Sequence, residues 1–178
     1  PQRTDVTFQL HLQGSGAAQL MHRAANDGAC GQGIFLHQPV QIKAPPLAAG
    51  LVNRQLFEAA QQWGRTAHQL HCTIPPQLEL ESYPGPLGQV LMNLIANALT
   101  HAFAAGVAGN IWVQAWLCDD DCVRLVVSDD GCGIPAKQQK RVFDPFFTTK
   151  LGQGGSGLGL HIVYTLVTGL LGGRIALE

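Results

Sequence analysis

Residues 86–103, "PLGQVLMNLIANALTHAF", constrain the fold more than any other stretch. Leu87, Val90, Leu91, Leu94, Ile95, Ala98 and Leu99 recur at helical spacing. They predict a helix from Pro86 to about Ala105 with an apolar stripe that must be laid against another layer. A second stripe, Gln89, Asn93, Asn97 and His101, repeats every four residues and so stacks along one side. Asparagine is a poor helix former because its amide competes for backbone partners, so two of them one turn apart want a reason. The stripe is either a solvated polar face or a row of amide oxygens able to ligate a hard cation such as Mg²⁺.

Strands are available to receive that helix. "NIWVQAWLC" and "CVRLVVS" predict a hairpin across Asp119–Asp121. In residues 5–12, "DVTFQLHL", Val6, Phe8, Leu10 and Leu12 alternate onto one face. "HQLHCTI" and "QLELES" read as two short strands joined as a hairpin around Pro75-Pro76, and "RIALE" as a last strand. Further helices are expected from Pro45-Pro46 to Gly64 and over about 157–171. A short helical patch (17–25) and the turn-rich "NDGACGQG" precede Pro45, which divides the chain into a leading segment, 1–44, and a main domain, 45–178. Helices separated by antiparallel strands imply an α+β, two-layer sandwich: a mixed, mostly antiparallel sheet with helices on one face.

Composition narrows the partners. A formal net charge of −1 with 13% charged residues argues against nucleic acid, which needs a basic face. The five cysteines lack metal-site spacing and are expected to be reduced thiols. "LGLHIVYTLVTGLL" is too short for a bilayer and carries His161, so it reads as a core helix without membrane contact.

Three further segments carry chemistry. In "VVSDDGCGIP", residues 126–135, a β-branched run ends at Asp129 and Asp130 and then passes through Gly131 and Gly133, where the backbone needs freedom or close approach. "RVFDPFFTTKLGQ", residues 141–153, sets three phenylalanines before Lys150, either as core or as the greasy anchor of a cation-bearing lid. In "GGSGLGLHIV", residues 154–163, Gly155, Gly157 and Gly159 precede an apolar helix, either as a tight connector or as a phosphate turn. No Walker lysine follows, and no strand leads into the glycines as a dinucleotide fingerprint requires.

The order of these four segments resembles the N, G1, F and G2 boxes of the sensor histidine kinase ATP-binding domain, within the gyrase, heat-shock chaperone, histidine kinase and MutL superfamily. The resemblance covers about 45–178, and FDPFFTTK resembles the nitrogen-regulation and dicarboxylate-sensing branch. It implies a Bergerat-type ATP-binding fold. It further implies that Asp129 accepts the adenine exocyclic amine, a donor that a carboxylate suits and that guanine's O6 does not match. Gly131 and Gly133 would pass under the base, and Ile134 would supply apolar contact. Asn97, assisted by Asn93, would ligate Mg²⁺, with His101 near the ribose or phosphates and Lys150 at the β or γ phosphate. Gly155, Ser156, Gly157, Leu158 and Gly159 would form the phosphate turn, and Asp130 is expected to face solvent or cap a turn. The implied activity is transfer of the ATP γ-phosphate to a histidine, catalysed through Asn93 and Lys150. The partners would be a histidine-bearing dimerisation domain and a response regulator, in the cytoplasm or in the cytosolic part of a membrane-bound sensor.

Several positions depart from the family. Gln89 stands where a glutamate often serves as general base, and "SYPGPL" lacks the usual Asp and Arg before the helix. None of the seven histidines has the acceptor's surroundings; His22, on the helical patch, is followed by Arg23. The acceptor is therefore expected outside this chain, and a nucleotide-sensing module without catalysis is the alternative. The family also closes its sheet with a strand after "GGRIALE". Residues 5–12 look like that strand, so they are expected to pair beside 174–178, by permuted order or by exchange between chains, and to cover an otherwise exposed edge.

Overall fold

The computed structural model describes residues 4–11, 47–48, 68–75, 78–80, 82–118, 122–150 and 155–178. Seven strands are present among them: β1 (Thr4–His11), β2 (Leu47–Ala48), β3 (Gln69–Thr73), β4 (Glu79–Leu80), β5 (Asn110–Cys118), β6 (Cys122–Asp129) and β7 (Arg174–Leu177). The helices are α1 (Pro84–His101), the single turn α2 (Ala136–Gln139) and α3 (Gly159–Thr165), which continues as a π-helical stretch over Leu166–Leu170. The main sheet runs β3-β5-β6-β1-β7, parallel between β3 and β5 and antiparallel elsewhere. This is the mixed α+β sheet with helices that the sequence predicts.

Alternation determines which side chains meet. Ile111, Val113 and Ala115 of β5 and Val123, Leu125 and Val127 of β6 join one buried cluster with Leu87, Leu91, Leu94 and Ile95 of α1. Val113 lies directly opposite Val127, and Ala115 opposite Leu125. Leu91 and Ile95 are each 1% exposed, and burying such a side chain contributes roughly 1.5–3 kcal/mol. Val163, Val167 and Leu171 close the same cluster from the C-terminal helix. Within the π stretch the Leu171 amide reaches the Leu166 carbonyl, a widened turn of the kind that interrupts α-helices. The helix expected over 157–171 is therefore shorter and changes its winding.

β1 is held on both edges. It pairs with β6 along its whole length, from Thr4 opposite Asp129 to His11 opposite Cys122, and with β7 from Val6 opposite Leu177 to Gln9 opposite Arg174. The first strand thus lies beside the last within one chain, and it occupies an interior position of the sheet.

Two expectations fail. β3 and β4 do not form a hairpin: β3 pairs in parallel with β5, and β4 pairs with β2. Tight hairpin turns need positive φ, which proline forbids, so the segment at Pro75 instead turns through a Leu78 amide bond to the Pro75 carbonyl. The helix expected from Pro45 does not include Leu47 and Ala48, which are extended and paired with Leu80 and Glu79. Their ladder partners decide the conformation. The rest of 45–64, the helical patch at 17–25 and its linker lie outside the described residues.

Candidate functional site

The C-terminal half of α1 and the loop leaving β6 face each other across a small cavity. Asn97 and His101 reach it from α1, and Asp129, Gly133 and Ile134 from the loop. Leu94, Ala98, Ala102, Val127 and Val6 supply its other walls. Its volume is about 40 Å³, room for a few water molecules, and it opens to solvent. A larger ligand would sit in its open mouth with only an edge inserted.

The loop is anchored to the helix end. The Cys132 amide donates to the Ala102 carbonyl at 2.8 Å. A Cβ on Gly131 would lie 2.4 Å from both the Cβ and the carbonyl oxygen of Ala102, so only glycine permits this approach. Gly133 takes a left-handed φ of 73°. Asp129 is 9% exposed, and its Oδ1 accepts the Gly131 amide at 3.0 Å. Burial pushes its carboxyl above the ordinary range, with the charges of Asp130 and Asp5 adding to this and the Gly131 hydrogen bond opposing it. Among the described residues no other hydrogen bond reaches this carboxylate, so its second oxygen is available to a donor.

Asp130 does more than the sequence reading gave it. Besides being partly open to solvent, as expected, it grips the start of β5. Its Oδ1 accepts the Asn110 backbone amide at 2.7 Å and its Oδ2 the Asn110 side-chain amide at 2.8 Å. These bonds, the side-chain one first, hold its carboxyl below the ordinary value. Asn110 Oδ1 in turn meets His71 Nε2 at 3.0 Å. Nothing in a lone Asp-Asp pair signals this division of labour. The signal was an asparagine opening a strand opposite the acidic turn.

Along α1, Gln89 Nε2 donates to Asn93 Oδ1 at 3.2 Å, while Asn93 Nδ2 is buried without a partner. Among the described residues Asn97 makes no side-chain hydrogen bond. His101 Nδ1 lies 3.3 Å from Thr149 Oγ1, and Lys150 Nζ donates to the Thr100 carbonyl. Burial first, and the Lys150 charge second, depress the His101 pKa. The segment after Phe143 is thereby fastened to the end of α1 rather than reaching into the cavity. It is also braced behind: Gly157, at φ 69°, packs so closely that a Cβ would lie 2.5 Å from the carbonyl carbon of Phe146, itself at φ 64°. Ser156 Oγ accepts the Leu158 amide at 3.3 Å, and Gly159 opens α3 with open space where a Cβ would stand. Asn93, Gly131, Lys150 and residues 155–159 are not among the residues that line the cavity. Val6, Leu94, Ala98, Ala102 and Val127 line the cavity but were not singled out by motif reading; as apolar residues they signalled a buried face, not a site.

A family model described as the histidine kinase-, DNA gyrase B- and HSP90-like ATPase matches residues 83–178, more than half of the chain. The chain belongs to this ATPase family. Among its relatives, the sensor histidine kinase ZraS of Klebsiella oxytoca is 36% identical over 66% of this chain and 24% of its own length. The signal transduction histidine-protein kinase AtoS of Escherichia coli (strain K12) is 41% identical over 46% of this chain and 12% of its own. The chain therefore spans less than a quarter of these relatives. Among solved structures, the mycobacterial sensor histidine kinase MprB aligns with TM-score 0.58 and 27% identity, covering 71% of this chain and 79% of that one. The catalytic domain of histidine kinase ThkA aligns with TM-score 0.55 and 26% identity, covering 69% and 80%. The ATPase domain is thus homologous to sensor histidine kinase catalytic domains. No helix among the described residues is long and apolar enough to cross a membrane.

Proposed function

We propose that this ATPase-family chain is the ATP-binding catalytic domain of a two-component sensor histidine kinase. The observation that carries the reading is the convergence of Asn97 and His101 from one motif with Asp129, Gly133 and Ile134 from another on a single cavity. In this reading Asp129 accepts the adenine amine through its second oxygen, Gly131 and Gly133 let the base lie against bare backbone, and Ile134 covers it.

Mg²⁺ fits the donors present. Asn97 offers a cavity-lining amide oxygen with no competing hydrogen bond among the described residues, and a hard cation takes one or two such oxygens while keeping its waters. Asn93 assists: its buried, unpartnered Nδ2 suits a phosphate oxygen. When bound, the ion would neutralise charge on the transferring phosphoryl group. Lys150 exchanges the Thr100 carbonyl for the β or γ phosphate, and Gly155, Ser156, Gly157, Leu158 and Gly159 form the phosphate turn, with His101 beside the ribose or phosphates. Phosphoryl transfer needs mostly positioning and charge neutralisation, and this set supplies both. The acceptor histidine belongs to a dimerisation domain and passes the phosphoryl group to a response regulator, in the cytoplasm. FDPFFTTK supports the nitrogen-regulation or dicarboxylate-sensing branch.

The test is phosphotransfer in trans. With γ-labelled ATP, Mg²⁺ and a histidine-bearing dimerisation domain, the wild-type chain labels the histidine, and Asn97→Ala loses the transfer. ATP binding without labelling of any such domain would favour a nucleotide-sensing module. Steady hydrolysis with no acceptor present would favour a gyrase-type ATPase.

A further inference from the structure

We propose that Val6 is a specificity-determining wall of the nucleotide cavity, setting how much bulk the site accepts beside the adenine amine. The inference rests on the nucleotide reading above and adds to it a residue that lies far outside the family-matched segment, 83–178.

Three observations carry it. Val6 is 8% exposed and lines the same cavity as Asp129. It lies directly opposite Val127, another wall residue, and is thus the diagonal neighbour of Asp129 two positions along β6. Diagonal neighbours on one face of an antiparallel pair lie roughly 7–8 Å apart, within reach of a substituent on a base held by that carboxylate. Finally, Val6 cannot retreat. Its strand is bonded on one side to β6 and on the other to β7, where Val6 faces Leu177. Just before it, the Asp5 amide donates to the Glu178 carbonyl at 3.1 Å, and the Glu178 amide returns a bond to Asp5 at 2.8 Å.

The side chain suits such a role. Valine offers no donor or acceptor, so its contribution is shape alone, and branching at Cβ holds it in few rotamers. The cavity is small, about 40 Å³, so the two methyl groups of Val6 help to decide its outline. A pocket wall of this kind discriminates by single carbon atoms, typically about 10- to 200-fold per methylene.

The probe is N6-methyl-ATP, which keeps one N–H for Asp129 and adds one methyl beside it. Affinities for ATP and N6-methyl-ATP are measured by calorimetry on the full chain with Mg²⁺, alongside melting temperatures. Wild type is expected to bind the methylated nucleotide at least about tenfold more weakly. Val6→Ala opens the wall and brings the ratio close to one. Val6→Ile widens the ratio. Should Val6→Ala melt too low to measure, the isoleucine variant, which keeps the core filled, decides the matter. A wild-type ratio near one, or a ratio equal in wild type, alanine and isoleucine variants, overturns the assignment of Val6 and leaves the nucleotide reading standing. Wild-type protein that binds no ATP overturns the nucleotide reading and the role of Val6 with it.

Discussion

Replacing Asp129 by asparagine exchanges one oxygen for an NH₂ group, and the surroundings dictate which one. Oδ1 already accepts the Gly131 amide at 3.0 Å, and stranding that donor would cost about 1–3 kcal/mol. The oxygen of the asparagine therefore stays with Gly131, and its nitrogen turns to the cavity. Adenine's amine, a donor, then meets a donor. A hydrogen bond to a charged acceptor is worth about 1.5–3 kcal/mol, so ATP affinity should fall roughly 10- to 140-fold. Guanine's O6 would now meet a donor, so preference for ATP over GTP should shrink by at least about tenfold. Calorimetry with non-hydrolysable analogues of both nucleotides reads both effects. The fold should not suffer, because a desolvated charge has been removed. The sign of the pH dependence follows from the raised Asp129 carboxyl: its contribution to stability is complete below the unfolded value of about 3.9 and is lost as pH climbs through the folded value. Wild type should therefore lose stability relative to Asp129→Asn on going from about pH 3 to about pH 7. Unchanged ATP affinity, or equal losses for ATP and GTP, would refute Asp129 as the base acceptor.

Asn110→Ala removes the contact with His71 and, with it, the side-chain bond to Asp130, whose loss alone should cost about 0.5–1.5 kcal/mol at neutral pH in a denaturant titration. Because the Asp130 carboxyl sits below its ordinary value, that loss should fade as acid protonates it. Gly131→Ala should destabilise by about 1–3 kcal/mol in thermal melts, since its methyl would strike Ala102, and should weaken ATP binding with it. Lys150→Met removes a cation whose charge helps depress His101, so the imidazole should titrate at higher pH by NMR. The same variant should slow phosphotransfer while leaving adenosine binding intact.

How much of this was legible depends on range. The hairpin of β5 and β6 and the two stripes of α1 were readable because period and turn residues are local signals. The partners of β3 and β4 were not: parallel pairing of Gln69–Thr73 with β5 is decided by burial across the chain, and an alternating run does not name its neighbour. Asn97, His101, Asp129, Gly133 and Ile134 could be placed together because each belongs to a segment whose order along the chain carries meaning. The widened winding at Leu166–Leu170 and the grip of Asp130 on Asn110 escaped because both are settled by tertiary geometry. Val6 escaped because an apolar residue on an alternating strand looks the same whether it faces core or cavity.

The interior seat of β1 also governs how the molecule is made. During synthesis this strand emerges well ahead of both its ladder partners: β6 follows only after α1 and β5, and β7 later still. Closing loops of such length precedes any reward from the contacts themselves, which slows assembly and prolongs exposure of sticky intermediates. The cleft's hydrophobic wall and the sheet's final hydrogen bonds must then arise in one late, concerted event, so half-made chains should be inert toward nucleotide.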